Sequence, residues 1–151
     1  VGASLYLVPM FIDRPLGFGK DVVAEQTLLP ITLGAATSTG ITVSSYQNVG
    51  FTVSTLSTSG TVKFGCSMMD SLPTFATLPT ASNRWQYVDV IDLQDGASID
   101  GNTGIVFALG STTIRQVVIN NNVFKHCASF FTPSTGNIGS TTVRLLPVNN
   151  L

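Results

Sequence analysis

In "GTVKFGCSMM" (60–69), Val62, Phe64, Cys66 and Met68 fall on one side of the chain and Thr61, Lys63 and Ser67 on the other. This period-two alternation predicts a strand with one face in a core. "VGFTVSTL" (49–56) repeats it with Val49, Phe51 and Val53 inward. The intervening "STSG" (57–60) reads as a tight turn, so the two strands are expected to pair as an antiparallel hairpin. Three further strands are predicted at "TIRQVVIN" (113–120), "FKHCASFF" (124–131) and "STTVRLLP" (140–147), separated by "NNV" and "TPSTGNIG", which gives the C-terminal half the look of a meander.

Upstream, "DVVAEQTLLPITL" and "ITVSS" flank the small-residue loop "GAATSTG", and Pro30 demotes its strand to an edge or marks a bulge. Helical periodicity is nowhere sustained. Eight or nine strands of this kind predict an all-β fold, an antiparallel β-sandwich of jelly-roll-like form, over residues 21–151. Residues 1–20 differ. "LYLVPMFIDRPLGFGK" (5–20) has two prolines, two glycines and large apolar side chains without alternation. It is expected to be an arm, or an edge segment closing its own sandwich. As an arm, its candidate contacts with a neighbouring subunit are Leu5, Tyr6, Leu7, Met10, Phe11 and Phe18, through packing or strand addition.

Composition sharpens this picture. Charged residues are 10% of the 151 and mean hydropathy is +0.37, against roughly 25% charged in ordinary globular chains. So sparse a charge implies that much of the exterior is covered, by copies of the chain or by partners. The formal net charge of -1 leaves no basic footprint for direct contact with nucleic acid. No apolar run reaches the roughly 20 residues of a membrane span, and "LYLVPMFI" lacks the basic leader of a secretory signal. No membrane partner is expected.

Four of the eight acidic residues lie in "NRWQYVDVIDLQDGASIDGN" (83–102), with the only Trp. Asp92, Asp95 and Asp100 are weak candidates for a calcium site, because calcium takes several oxygen ligands. Their spacing lacks the regular calcium-loop pattern, and "LQDGAS" and "DGNTG" read more simply as tight turns. A pair of these carboxylates, with Asp89 nearby, could serve glycoside hydrolysis only if held about 5 to 9.5 Å apart, which a sequence does not display. Trp85 and Tyr87 could form a sugar-stacking platform, but Trp85 is expected to be a buried anchor. In a regular strand both would face opposite to Val88 and Val90, so either both faces are buried or a bulge intervenes.

His126 is the lone histidine, which excludes a multi-histidine metal site. Beside Phe124, Ala128 and Phe130, with no Gly-x-Ser-x-Gly elbow in the chain, it reads as a core or interface residue bonded to backbone. Cys66 and Cys127 form no CxxC motif. A structural disulfide is one reading; because Cys66 shares its face with Val62 and Phe64 whereas Cys127 alternates with Lys125 and Ser129, the expected reading is two free buried thiols of a reducing cytoplasm. No catalytic residue or cofactor loop is identified, and the chain is not expected to be an enzyme.

The order of features from 49 to 146 resembles the small β-sandwich virion proteins of tailed bacteriophages. The features are "FTV" with "GTVKFGCS" (Phe51 to Ser67), Trp85 to Gly96, Thr103–Gly104, Arg115 to Asn120, Phe124 to Phe131 and Gly139 to Leu145. The resemblance covers about two-thirds of the chain and rests on turn and core positions. It implies a structural component of a bacteriophage virion: a capsid decoration or cement protein, a head fibre or a tail-associated domain. Such a protein would be assembled in the host bacterial cytoplasm as a homo-oligomer, trimeric or higher, and would contact other virion proteins, first the major capsid protein. Any cation at the acidic turns would then sit between subunits. The alternative is a glycan- or receptor-binding module of a tail or spike.

Overall fold

The computed structural model describes residues 20–22, 25–75 and 84–150. No helix occurs among them, and so none that could cross a membrane. Thirteen strands follow in order: β1 (Lys20–Val22), β2 (Gln26–Thr32), β3 (Ala36–Thr37), β4 (Ile41–Thr42), β5 (Asn48–Leu56), β6 (Thr58–Ser67), β7 (Trp85–Tyr87), β8 (Val90–Asp92), β9 (Ser98–Ile99), β10 (Ile105–Ser111), β11 (Ile114–Ile119), β12 (His126–Pro133) and β13 (Ser140–Asn150).

They form two antiparallel sheets. In the first, β13 runs from Ser140, opposite Leu56, to Val148, opposite Asn48 of β5. β11 then pairs with β5, β8 with β11, and β9 with β8. The free edge of β13 is shared end to end by β2 and β1. In the second, β6 and β12 pair along their length, β10 and β7 share the outer edge of β6, and β3 and β4 share that of β12. Joining the end-to-end pieces gives the orders β1/β2-β13-β5-β11 and β3/β4-β12-β6-β7/β10, with the chain passing repeatedly from sheet to sheet. That is the double Greek key of a jelly roll. The strand count exceeds the eight or nine expected because three sheet edges are each shared by two separate pieces, β1/β2, β3/β4 and β7/β10, and because β8 and β9 extend the first sheet.

Two expected pairings are corrected. The strands 49–56 and 61–68 do not form a hairpin: β5 lies in the first sheet and β6 in the second. Only Ser57, held at φ 51°, separates them, and there the chain crosses the sandwich instead of turning within a sheet. Phe51 and Phe64 consequently face each other across the core, their rings stacked at 4.2 Å. The C-terminal strands are no meander either, since β11, β12 and β13 fall in the first, second and first sheets.

The inward residues are as the alternation predicts, with Val49, Phe51, Val53, Val62, Phe64, Val117, Phe131, Val143 and Leu145 all buried. Met68 is the exception. It lies beyond the end of β6 and is exposed. Pro30 sits on β2, which pairs only with β13 and does so with register shifts, as a strand lacking one N–H donor requires. Lys20, put by sequence at the end of the arm, belongs to β1. The arm candidates Leu5, Tyr6, Leu7, Met10, Phe11 and Phe18 lie outside the described residues.

The cysteines are also corrected. Cys66 and Cys127 are direct partners across β6 and β12 and are joined in a disulfide. The expectation fails because Lys125 and Ser129 do not mark a polar face for Cys127. Lys125 precedes β12, and Ser129 is itself buried, on the same inward row as Phe131.

Candidate functional site

The acidic stretch runs along the flank of the sandwich, and each of its carboxylates closes a piece of backbone. Asp92 Oδ1 accepts from the Gln94 N–H at 2.9 Å, while its Oδ2 is paired with Arg115. Asp95 Oδ1 accepts from the Ala97 N–H at 2.9 Å. Asp100 Oδ1 accepts from Asn102 and Thr103, both at 2.9 Å. Asp89 Oδ1 reaches further, accepting from Gly101 at 2.7 Å. The bonds of Asp92, Asp95 and Asp100 are side chains mimicking a backbone turn, that of Asp89 joins two separate turns, and the carbonyls of Asp92 and Asp100 complete their turns by accepting from Gly96 and Gly104. The N–H of Gln94 first, and the Arg115 guanidinium second, hold the buried Asp92 carboxyl below the usual carboxylate range. The candidates Asp92, Asp95 and Asp100 are therefore not gathered on one point. Among the described residues, no three His, Cys, Asp or Glu side chains converge as a metal site would need.

Trp85 is an anchor, but on the outside of the second sheet. It packs with Phe75, Ala128 and Phe130 in a cluster separate from the main core, and Tyr87 closes its side. The indole stacks on Phe130 at 5.0 Å. Gly65 makes this possible, since a Cβ there would stand 2.7 Å from Phe130 and 2.8 Å from Trp85. Tyr87 meets Trp85 and Phe130 edge to face and carries Lys63 Nζ 4.8 Å above its ring. Trp85 is buried, so the pair does not offer the open platform that sugar stacking requires. Val88 and Val90 face the main core. The conflict between residues 85/87 and 88/90 is resolved because the chain leaves the second sheet at β7 and enters the first at β8.

At one end of the sandwich, His126 is buried and bonded as expected, its Nδ1 to the Thr42 hydroxyl at 3.3 Å and its Nε2 to the Asp70 carbonyl at 3.2 Å. Lys125 pairs with the Asp70 carboxylate and draws it below its usual range, through the hydrogen bond first and the charge second. Asn122 ties this end together. Its Nδ2 lies 3.0 to 3.1 Å from the carbonyls of Val43, Tyr46 and Phe124, and its Oδ1 accepts from the Phe124 N–H.

At the opposite end, Ile31, Leu33, Leu56 and Ile138 line a depression of about 320 Å³ with Ser57, Gly139 and Ser140. The segments that meet at this end, 31–34, 55–59, 112–113 and 134–140, contain no Lys, Arg, Asp or Glu. Asn137 holds it: Nδ2 donates to the carbonyls of Leu33 and Gly139, and Oδ1 accepts from the N–H groups of Ser59 and Gly139. Sequence reading did not find this surface, since its four apolar residues come from strand ends and loops far apart in the chain. The long uncharged stretches were the available signal.

No protein-family model and no curated protein matches the sequence. Among solved structures, the fold is similar to that of the SPBc2 prophage-derived protein YomS, at a TM-score of 0.64 and 10% identity, over 90% of this chain and 100% of that one.

Proposed function

We propose that this chain is a structural protein of a bacteriophage virion, one that oligomerises and decorates or stabilises the capsid through contact with the major capsid protein. The observation that carries this reading is the uncharged, apolar end of the sandwich. An ordinary soluble surface mixes charges of both signs, whereas the segments that meet at this end carry none. The jelly roll is a frequent fold of viral shells, and the likeness to a prophage-derived protein agrees with it in fold. The chain acts by mass action on the assembled state, with no chemical step and no bound cofactor. The disulfide fits a protein that ends in oxidising surroundings, as a particle does after release from the host cytoplasm in which it was assembled.

Immunogold labelling of purified particles, using antibody against the chain, tests this. The expected result is regular labelling of the head. Particles free of the protein would overturn the reading, and labelling confined to the tail would overturn its capsid part.

A further inference from the structure

Cys66 and Cys127 lie one residue pair from the end of the β6–β12 ladder. β6 closes at Ser67 and β12 opens at His126, and these two form the last pair beyond the disulfide. The bond is enclosed, with Cys66 1% and Cys127 0% exposed and both in the main core. The two cysteines are nevertheless not equivalent. Cys66 contributes to the wall of a surface depression of about 240 Å³, completed by Met68, Arg84, Trp85, Gln86 and Phe124, and Cys127 does not.

The partnership of the cysteines is set by the fold. The register of β6 on β12 runs unbroken from His126 opposite Ser67 to Pro133 opposite Gly60, so a chain with both thiols reduced brings the same two sulfurs side by side. The ends of sheets open more often than whole domains do, and the cover over Cys66 is thin. Met68 is 64% exposed, and Phe124 lies outside β12, half-buried against the main core. Asn122 holds the Phe124 backbone through both its N–H and its carbonyl, so a swing of the Phe124 side chain deepens the depression toward Cys66 without parting the strands.

We infer that this depression is a thiol–disulfide exchange site, through which a small-molecule disulfide oxidises the chain after it has folded in the reduced state. Cys66 releases its proton to solvent, and its thiolate attacks one sulfur of the small disulfide, whose S–S bond breaks and frees one small thiolate. Cys127, deprotonated in turn, attacks the Cys66 sulfur of the mixed disulfide and frees the second. Two protein thiols are oxidised to one disulfide, one small disulfide is reduced to two thiols, and the protons lost by the cysteines end on the leaving thiolates. The site stands independently of the proposed virion role.

The test starts from the full-length chain unfolded, reduced and refolded under reductant. Once the reductant is removed, oxidised glutathione is added and bond formation is followed by alkylation and mass spectrometry. The global unfolding rate of the same reduced chain is measured by denaturant jump. Oxidation should outrun unfolding by roughly tenfold or more, because a local opening suffices. Phe124→Ala should quicken oxidation several-fold, whereas Val143→Ala, a core truncation where β13 meets β5, should speed unfolding and leave oxidation unchanged. With one cysteine removed, glutathione should be found on Cys66 of Cys127→Ala and not on Cys127 of Cys66→Ala. Four results would overturn the inference: a reduced chain that does not fold, oxidation no faster than unfolding, equal acceleration by Val143→Ala and Phe124→Ala, or glutathione on Cys127 in preference to Cys66.

Discussion

Asn122 and Asn137 sit at opposite ends of the sandwich and act alike, each using one amide to satisfy backbone groups of two or three separate loops. The surfaces they support differ. Around Asn122 the end carries His126, the Lys125–Asp70 pair and Arg84, whereas around Asn137 no charged residue is contributed and four aliphatic side chains stand in solvent. The same method of tying loops thus supports one end where exposed Met68 and Val123 are mixed with charged side chains, and one where the exposed aliphatic side chains have no charge among them. Loop stitching therefore explains the stability of both ends and the apolar surface of neither, and the proposed self-association is what would cover the Asn137 end.

The largest effect is expected at the cross-link that pins β6 to β12 beside the Asn122 end. Replacing Cys66 and Cys127 together by Ala opens a cross-link between residues 61 positions apart, for which chain entropy predicts a loss of about 4 kcal/mol. Denaturant unfolding should register it with or without reductant, whereas the native chain should respond to reductant. Gly139→Ala strikes the uncharged end alone. With two carbonyl oxygens in the way, it should cost about 3 kcal/mol, a drop in midpoint temperature that Gly136→Ala, in open space but at φ 84°, should exceed only if backbone strain outweighs the clash.

Asn122→Ala and Asn137→Ala sharpen the parallel between the ends. Each leaves several backbone groups short of a partner and should cost about 2 kcal/mol, by an equal amount if the two clamps are equivalent. Asp92→Asn should have a smaller effect, about 1 kcal/mol, and one confined in pH. The folded Asp92 carboxyl is held below its ordinary value, so its contribution is complete above the unfolded pKa near 4 and is lost as pH falls through the folded value. Unfolding followed from pH 6 to pH 2 should show wild type and variant converging at the acid end. Exposed Ile138→Lys should alter folding by less than about 0.5 kcal/mol, so any large effect of that change belongs to association.

Much of the fold was legible in the sequence because alternation reports which face of a strand is buried. The strands at 49–56, 61–68, 113–120, 124–131 and 140–147 correspond to β5, β6, β11, β12 and β13. Alternation says nothing about which strand lies alongside, so the single-residue crossing at Ser57 looked like a hairpin turn. The Cys66–Cys127 pair was missed for the same reason, being a partnership set by long-range register. At Trp85 and Val88 the sequence did carry the answer, since a run with both faces apolar is what a chain moving between two sheets must have. Asp95 and Asp100 were correctly read as turn residues because an Asx turn is local. The apolar end was not read as a site, because Ile31, Leu33, Leu56 and Ile138 meet only once the jelly roll has closed.

The central claim, that this is a self-associating structural protein, is tested most directly by the mass of the full chain in solution, measured by light scattering over a thousandfold dilution. The account predicts an oligomer of three or more chains that dissociates only at the dilute end. A monomer at every concentration would contradict it.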